Sequence, residues 1–418
     1  MAQLKDDCFA FGGELMPVER ALALIGEIGR PLTGIEPVPL AAASGRYLAR
    51  DIMAPIDVPP HDNAAVDGYA VFHDDLTEHG PTRLPVTGRA AAGHPLEGPA
   101  ERGRAIRIFT GAAMPQGPDT IFMQEDVRLE GGAVVLPAGI RRGANRRRAG
   151  EDIRQGSTIL QAGRRLRPQD VGLAASVGCV TLPCRAPLRA AVFSTGDEVV
   201  EPGRPLAPGA VFDANRYAVM ALLEGLGAQV SDLGILRDQG AQTRAAIAEA
   251  ARDHHVLMTS GGVSVGEEDH VRATLLEQGT LHAWYLAIKP GRPLMLGQIH
   301  DTAFIGLPGN PAAAMVTFLR FARPLVLRLA GASDVDPTFF AVRSAFERRK
   351  KPGRREYIRV SLRRGGDGVL EAHAFPREGA GILSSMVDSD GLAELPEDMT
   401  RLEPGATIQF LPFSEVIG

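Results

Sequence analysis

The chain has 418 residues, 44% of them apolar and 23% charged, the balance of a globular protein with enough length for two to four domains. A formal net charge of −5 and 5% aromatic residues leave no basic footprint for nucleic acid and few platforms for stacking bases. Any anionic ligand must therefore be held by local charge or by a metal.

The first residues, MAQLKDDCFAFGG, lack the basic region and the apolar run of a secretory signal. Cys8, Cys179 and Cys184 are too few for a disulfide framework and lack zinc-site spacing. Both features point to a cytoplasmic protein. Residues 14 to 30 show helical spacing of apolar residues ending at Gly29-Arg30-Pro31, which predicts an amphipathic packing helix. The Pro-bounded run DVPPHDNAAVDGYAVF follows. From about 80 to 165, short alternating runs broken by Gly and Pro predict a β-rich lobe inserted in a mixed α+β N-terminal region spanning 1 to 187. Within this stretch RIFTGA leads to Thr110, and NRRRAGED carries an arginine run that by itself reads more often as a solvated face than as a site.

Residues 188 to 330 alternate buried strand-like runs (LRAAVFS, AQVSDLGIL, HHVLMT, TAFIGLP) with helical patterns at about 213–226, 240–252, 268–278 and 311–330. That order predicts an α/β domain, a parallel sheet with helices on both faces and its ligand site beyond the carboxyl ends of the strands. The 311–329 segment is interrupted by Arg320, Arg323, Pro324 and Arg328, so it is no membrane span. After about 335 the helical period disappears, and YIRVSLRR, GVLEAHAF and ATIQFLPF predict a small all-β domain over 335–418. No internal repeat is evident.

The strand ends concentrate the chemistry. The first run leads into Ser194-Thr195-Gly196-Asp197-Glu198, the second into Asp238, and the third into SGGVSVGEEDH with Asp269. Gathered at one sheet edge, Glu198, Asp238 and Asp269 repel one another unless a cation intervenes, and hard oxygen ligands favour Mg²⁺. The glycine turn at Gly261 and Gly262 suits an anion. Its spacing to Gly266 imitates a P-loop, yet Glu267 stands where that loop needs Lys. Lys289-Pro290-Gly291-Arg292-Pro293 places two cations on a stiff turn suited to phosphate or a tetrahedral oxyanion. Pro308-Gly309-Asn310-Pro311 reads locally as a helix start, with Asn310 as N-cap and Pro311 at the first position.

Taken together, DNAAVDGYAV, RIFTGAAMP, NRRRAGEDI, FSTGDEVV, TSGGVSVGEEDH, AIKPGRP and LPGNP resemble, in order and over nearly the whole chain, the molybdopterin molybdenumtransferases, the family that includes the E domain of gephyrin. The resemblance implies an enzyme that takes adenylyl-molybdopterin and molybdate, hydrolyses the adenylate with Mg²⁺ and inserts molybdenum, releasing AMP. It implies a homodimer with shared active sites, in which Asp62, Thr110, Arg147 and Asp152 face the partner subunit. It assigns Glu198, Asp238 and Asp269 to the acidic cluster and Ser260, Gly261, Gly262 and Ser264 to the glycine-hydroxyl loop. Lys289 and Arg292 would hold oxyanions, Pro308 and Pro311 shape the last loop, and Arg354 and Ser385 add oxyanion contacts from the C-terminal domain. Molybdopterin adenylyltransferase and molybdoenzyme apo-proteins are the implied partners, with neither nucleic acid nor membrane among them. The chain departs from the family at Tyr285, Arg292, Ala312 and Ala313, which leaves open a divergent pterin-binding paralogue. A molybdopterin adenylyltransferase would explain only the central region, and a scaffold only the architecture.

Overall fold

A computed structural model describes residues 15–237, 240–262 and 270–417. Cys8, Asp238, Ser264 and Asp269 lie outside these residues.

The central sheet has the strand order Gln229–Leu236, Arg189–Thr195, Val256–Ser260, Thr302–Leu307, Pro293–Ile299, Gly279–Tyr285. Its first four strands are parallel, as the alternation of elements predicts, and the last two extend it as an antiparallel hairpin. The parallel strands are apolar on both faces because both faces are covered. Ala190, Val192, Val256, Met258 and Ile305 pack in one core with the helices Val18–Ile28, Asn215–Gly225 and Arg323–Ala330. Their chain neighbours Ala191, Phe193, Leu257 and Phe304 pack in a second core with Ile247 and Leu275, from the helices Gly240–Asp253 and His270–Gln278. The first helix thus performs its expected packing role, on the central sheet.

The helical pattern over 311–330 is divided. An α-helix at Pro311–Thr317 passes into a π-helical turn at Phe318–Ala322 and resumes as an α-helix at Arg323–Ala330. Pro324 has no N–H to give the preceding turn, and a wider turn absorbs the missing bond. Arg320 lies in that turn, buried, its guanidinium directed at the Tyr357 hydroxyl at 3.3 Å and the Glu394 carboxylate at 3.5 Å.

Upstream, the N-terminal lobe holds a six-stranded sheet ordered Thr120–Met123, Gly68–Val71, Ala105–Ile108, Thr82–Ala90, Ala133–Leu136, Arg128–Glu130. Gly68–Val71 is buried throughout, and bare Gly68 fits because a Cβ there would stand 1.8 Å from the Phe122 carbonyl oxygen. A smaller unit pairs Ile35–Pro39 with Thr181–Arg185 beside the helix Pro168–Ser176.

Downstream, Arg355–Arg364, Leu370–Ala374, Phe340–Ser344, Thr407–Pro412 and Gly391–Leu395 form a closed ring of pairings, because the last of these strands also pairs with the first. The expected C-terminal β domain is therefore a barrel. Its sheet also includes Ile288–Lys289, which comes from the central segment and runs parallel to Arg355 and Glu356. One short strand thereby places the Lys289–Pro293 turn against the barrel.

Candidate functional site

Strand order reverses around Arg189–Thr195: the chain leaves it for Gln229–Leu236 on one side and returns to Val256–Ser260 on the other. A crevice opens at such a switch point beyond the carboxyl ends of the strands. Here Ser194 lies in register with Ser260. Gly196, Gly261 and Gly262 all adopt positive φ (128°, 91° and 63°). A side chain at Gly262 would bring its Cβ to 2.6 Å from Thr195 Oγ1, and one at Gly196 would meet the Glu198 carboxylate at 2.7 Å. Backbone angle favours glycine at all three positions, and at Gly262 the neighbouring Thr195 side chain adds a demand for space. The carboxylate of Glu198 lies against the bare Gly196 backbone.

Two hydroxyls of this crevice stand out. Ser194 Oγ and Thr195 Oγ1 are buried with no hydrogen-bond partner among the described residues. Buried hydroxyls are normally satisfied, so an orphan pair at a strand end suits an incoming ligand. Asn215, which did not figure among the residues read from sequence, braces the crevice. Its amide nitrogen donates to Ser260 Oγ at 2.8 Å and to the Gly309 carbonyl at 2.7 Å, while Ser260 Oγ donates to the Pro308 carbonyl at 3.0 Å. The glycine turn and the Pro308–Pro311 loop are therefore one bonded unit. The segment after Glu198 is anchored separately by the buried Arg216 guanidinium, which binds Glu201 at 2.5 Å and Asp213 at 2.9 Å and also contacts Asp232.

Of the three acids expected to hold a metal, Glu198 is described, whereas Asp238 and Asp269 directly adjoin described segments at Arg237 and His270. Among the described residues no group of three metal-ligating side chains converges. The donor chemistry of Glu198, carboxylate oxygens at a strand end, fits a hard cation.

Asn310 occupies the N-cap position of Pro311–Thr317, and Pro311 the first turn, but the capping bond expected of the Asn310 side chain is not made. The barrel supplies the cap instead: the Ala380 carbonyl accepts from the N–H groups of Ala312 at 2.9 Å and Ala313 at 3.3 Å. Ala312 and Ala313 are consequently buried. Gly291 is pressed onto this helix, since a Cβ there would lie 2.8 Å from Thr317 Oγ1 and 3.2 Å from the Ala313 methyl. Tyr285 pairs with Pro293 at the root of the turn.

Between that turn and the barrel lies a cavity of about 520 Å³, lined by Lys289, Arg292, Arg348, Arg354, Arg359 and Arg377 with three glutamates. Cations outnumber acids, so the cavity favours an anion. Ser385 does not line it freely: its hydroxyl is buried, donates to the Ile382 carbonyl and accepts from Arg359 Nε at 3.0 Å. Arg359, also missed from sequence, is the buried cation of this wall, with Nη2 donating to the Gly379 carbonyl at 3.1 Å. Burial pushes its pKa down from the ordinary arginine value, although a guanidinium stays charged at neutral pH.

In the N-terminal lobe, Asp62, Thr110, Arg147 and Asp152 belong to loops that are bonded together. Asp62 accepts from the Ala149 N–H at 2.8 Å and lies 3.5 Å from Arg146, Arg147 pairs with Asn63, and the Asp152 N–H donates to the Val58 carbonyl. Thr110 donates through both N–H and hydroxyl to Asp67, at 2.8 and 2.7 Å, and these bonds lower the Asp67 pKa.

Residues 16–178 match the family described as the MoeA N-terminal region (domain I and II), 191–328 the probable molybdopterin binding domain, and 341–413 the MoeA C-terminal region (domain IV). The chain is 37% identical to a molybdopterin molybdenumtransferase of Haemophilus influenzae over 92% of its own length and 96% of that protein. A Nostoc protein of the same name is 35% identical, over 90% and 88% of the two chains. A crystal structure of a molybdopterin biosynthesis MoeA protein from Pyrococcus horikoshii superposes with a TM-score of 0.78 at 31% identity, covering 96% of this chain and 99% of that one.

Proposed function

Because the chain belongs to the molybdopterin molybdenumtransferase family, called MoeA, we propose a division of labour between its crevice and its cavity. The protein is an enzyme of molybdenum-cofactor biosynthesis that inserts molybdenum into molybdopterin. In the proposed reaction adenylyl-molybdopterin lies across the switch-point crevice, with its phosphates at Gly261 and Gly262 and at the hydroxyls of Ser194 and Thr195, which have no partner among the described residues. Molybdate occupies the neighbouring cavity. The observation that supports this best is the cavity itself, where Lys289 and Arg292 of the turn line one space with Arg354 and the buried Arg359 of the barrel.

Glu198, with Asp238 and Asp269, would hold Mg²⁺, which when bound neutralises phosphate charge and polarises the phosphoanhydride. The chain's own residues position the substrate. Asn215 fixes the glycine turn against the Pro308–Pro311 loop, and the bare backbone of Gly261 and Gly262 admits close approach of the phosphates. Arg359, held by Ser385 and Gly379, orients its guanidinium towards the oxyanion.

We further propose a homodimer in the cytoplasm, with Asp62, Thr110, Arg147 and Asp152 completing the partner's crevice and Ser264 completing the glycine-hydroxyl loop. Functional domains are taken as 1–187, 188–330 and 335–418. No helix among the described residues is long and apolar enough to cross a membrane. Molybdopterin adenylyltransferase and molybdoenzyme apo-proteins would stand before and after it in the pathway. The test is direct: purified protein given adenylyl-molybdopterin, Mg²⁺ and molybdate is expected to release AMP and yield active cofactor. Absence of AMP release would overturn the adenylate reading, and ATP consumption with free molybdopterin would point to the adenylyltransferase. Retention of cofactor synthesis in cells carrying Asp238→Ala and Asp269→Ala would favour a scaffold.

A further inference from the structure

Lys289 and Arg348 face the cavity as cations, yet two carboxylates already occupy their donors. Glu356 accepts from Arg348 at 2.8 Å and stands 3.5 Å from Lys289. Glu378 contacts Arg348 through both carboxylate oxygens, the second at 3.1 Å, and lies 3.7 Å from Lys289. We propose that Glu378 is an internal counter-ion of the oxyanion cavity, displaced when a tetrahedral dianion such as molybdate enters, and that it thereby sets how tightly the cavity holds its ligand. This rests on the reading of the cavity as the molybdate site.

The two glutamates differ in what their removal would cost. Glu356 is buried, on the barrel strand that pairs with Ile288–Lys289. Withdrawing a cation from it would leave a desolvated charge unpaired. The side chain of Glu378 is 65% exposed, so it can turn into water with its charge solvated, and exposed pairs of this kind are weak. Its backbone cannot follow. The Gly379 carbonyl accepts from Arg359, and the Ala380 carbonyl accepts from Ala312 and Ala313. Displacement is therefore a side-chain rotation about a pinned main chain. Once it has happened, Lys289 and Arg348 share only Glu356, and a net positive charge faces the space where the dianion binds. Dianion and Glu378 compete for the same N–H donors, so affinity is lowered by the strength of the Glu378 contacts.

Calorimetric titration of the full-length protein with sodium molybdate at low ionic strength tests this. Glu378→Gln, which keeps shape and removes charge, is expected to bind about three- to five-fold more tightly than wild type, the worth of one exposed ion pair. Glu347→Gln is the control. Glu347 lines the same cavity but its ion pairs are to Arg349 and Arg401, each at 3.6 Å, so the same charge is removed without freeing Lys289 or Arg348. Glu378→Ala is expected to behave as Glu378→Gln. If wild type binds molybdate and the Glu378 variants tighten no more than Glu347→Gln, or weaken, the displacement proposal fails while the cavity reading stands. If neither wild type nor any variant binds molybdate, the cavity reading fails and takes the proposal with it. Binding seen only after Glu378 is replaced would support both.

Discussion

Asn215 offers the sharpest test of how the crevice is built. Its two amide hydrogens go to Ser260 Oγ and the Gly309 carbonyl. Ser260 spends its own proton on the Pro308 carbonyl, so both Asn215 partners act as acceptors and the orientation of the amide is fixed. Asn215→Ala removes two neutral hydrogen bonds, about 1 kcal/mol each, with up to about 1 kcal/mol more for acceptors left short of partners. The expected destabilisation is about 2–3 kcal/mol, together with a fall in turnover because the two loops are no longer tied. Asn215→Asp separates explanations. A carboxylate is isosteric with the amide and favourable in the first turn of a helix, by about 0.5 kcal/mol, so if only helix chemistry mattered it would be tolerated. As an acceptor set against two acceptors it should instead cost at least as much as Ala. Urea unfolding can be followed by the fluorescence of Trp284, the single tryptophan, on an edge strand of the central sheet. An Asn215→Asp protein with wild-type stability and turnover would refute the bracing role.

Other expectations follow from the same geometry. Thr195→Val removes a buried hydroxyl without a partner among the described residues and should leave stability within about 0.5 kcal/mol of wild type or raise it, while steady-state turnover falls roughly ten-fold if that hydroxyl binds a charged ligand; unchanged turnover would remove Thr195 from the site. Arg359→Met is expected to weaken molybdate binding by calorimetry roughly ten-fold or more, as loss of a charge-assisted bond implies, and by more than Arg354→Met does; the opposite ranking would return the principal role to Arg354. Burial pushes the Asp170 carboxyl upwards, but hydrogen bonds from Arg164 and Arg167 prevail and hold it at about 2. A depressed carboxylate stabilises the fold above its unfolded pKa and loses that contribution as pH falls through the folded value. Thermal midpoints measured from pH 5 down to pH 2 should therefore decline less steeply for Asp170→Asn than for wild type, and parallel slopes would contradict the assignment.

The sequence conveyed the parallel half of the central sheet because strands covered on both faces must be apolar between their ends, and Ala190–Phe193 and Val256–Met258 are. The hairpin Gly279–Tyr285 with Pro293–Ile299 escaped notice for the opposite reason. Its strands mix Gly, Thr, His and Gln with apolar residues and begin at Gly or Pro, which weakens any β signal. The turn glycines Gly196, Gly261 and Gly262 were legible as such, since a positive φ disfavours other residues. Asn215 and Arg359 were not, because their roles depend on partners 45 and 26 residues away in Ser260 and Ser385. The cap at Pro311 misled for a related reason. Asn310 has suitable chemistry, but a backbone carbonyl from Ala380 takes the N–H groups, and main-chain acceptors leave no mark in residue identity.

The strand Ile288–Lys289 bears on how far this chain can be divided. Matches to three successive family segments suggest modules that can be cut apart at the connections between them. Hydrogen bonding does not respect those cuts: Ile288 and Lys289 pair with Arg355 and Glu356, and the Arg355 N–H donates to the Ala287 carbonyl at 2.8 Å. A C-terminal fragment expressed alone would carry a closed ring with one raw edge where the borrowed strand had been, and unpaired strand edges recruit other chains. The central segment alone would keep Lys289 and Arg292 but lose the wall that gives their turn its shape. Two pieces expressed separately and divided between the central and C-terminal segments, after residue 330, should therefore complement poorly, because Ile288–Lys289 and its partners Arg355–Glu356 fall on different pieces.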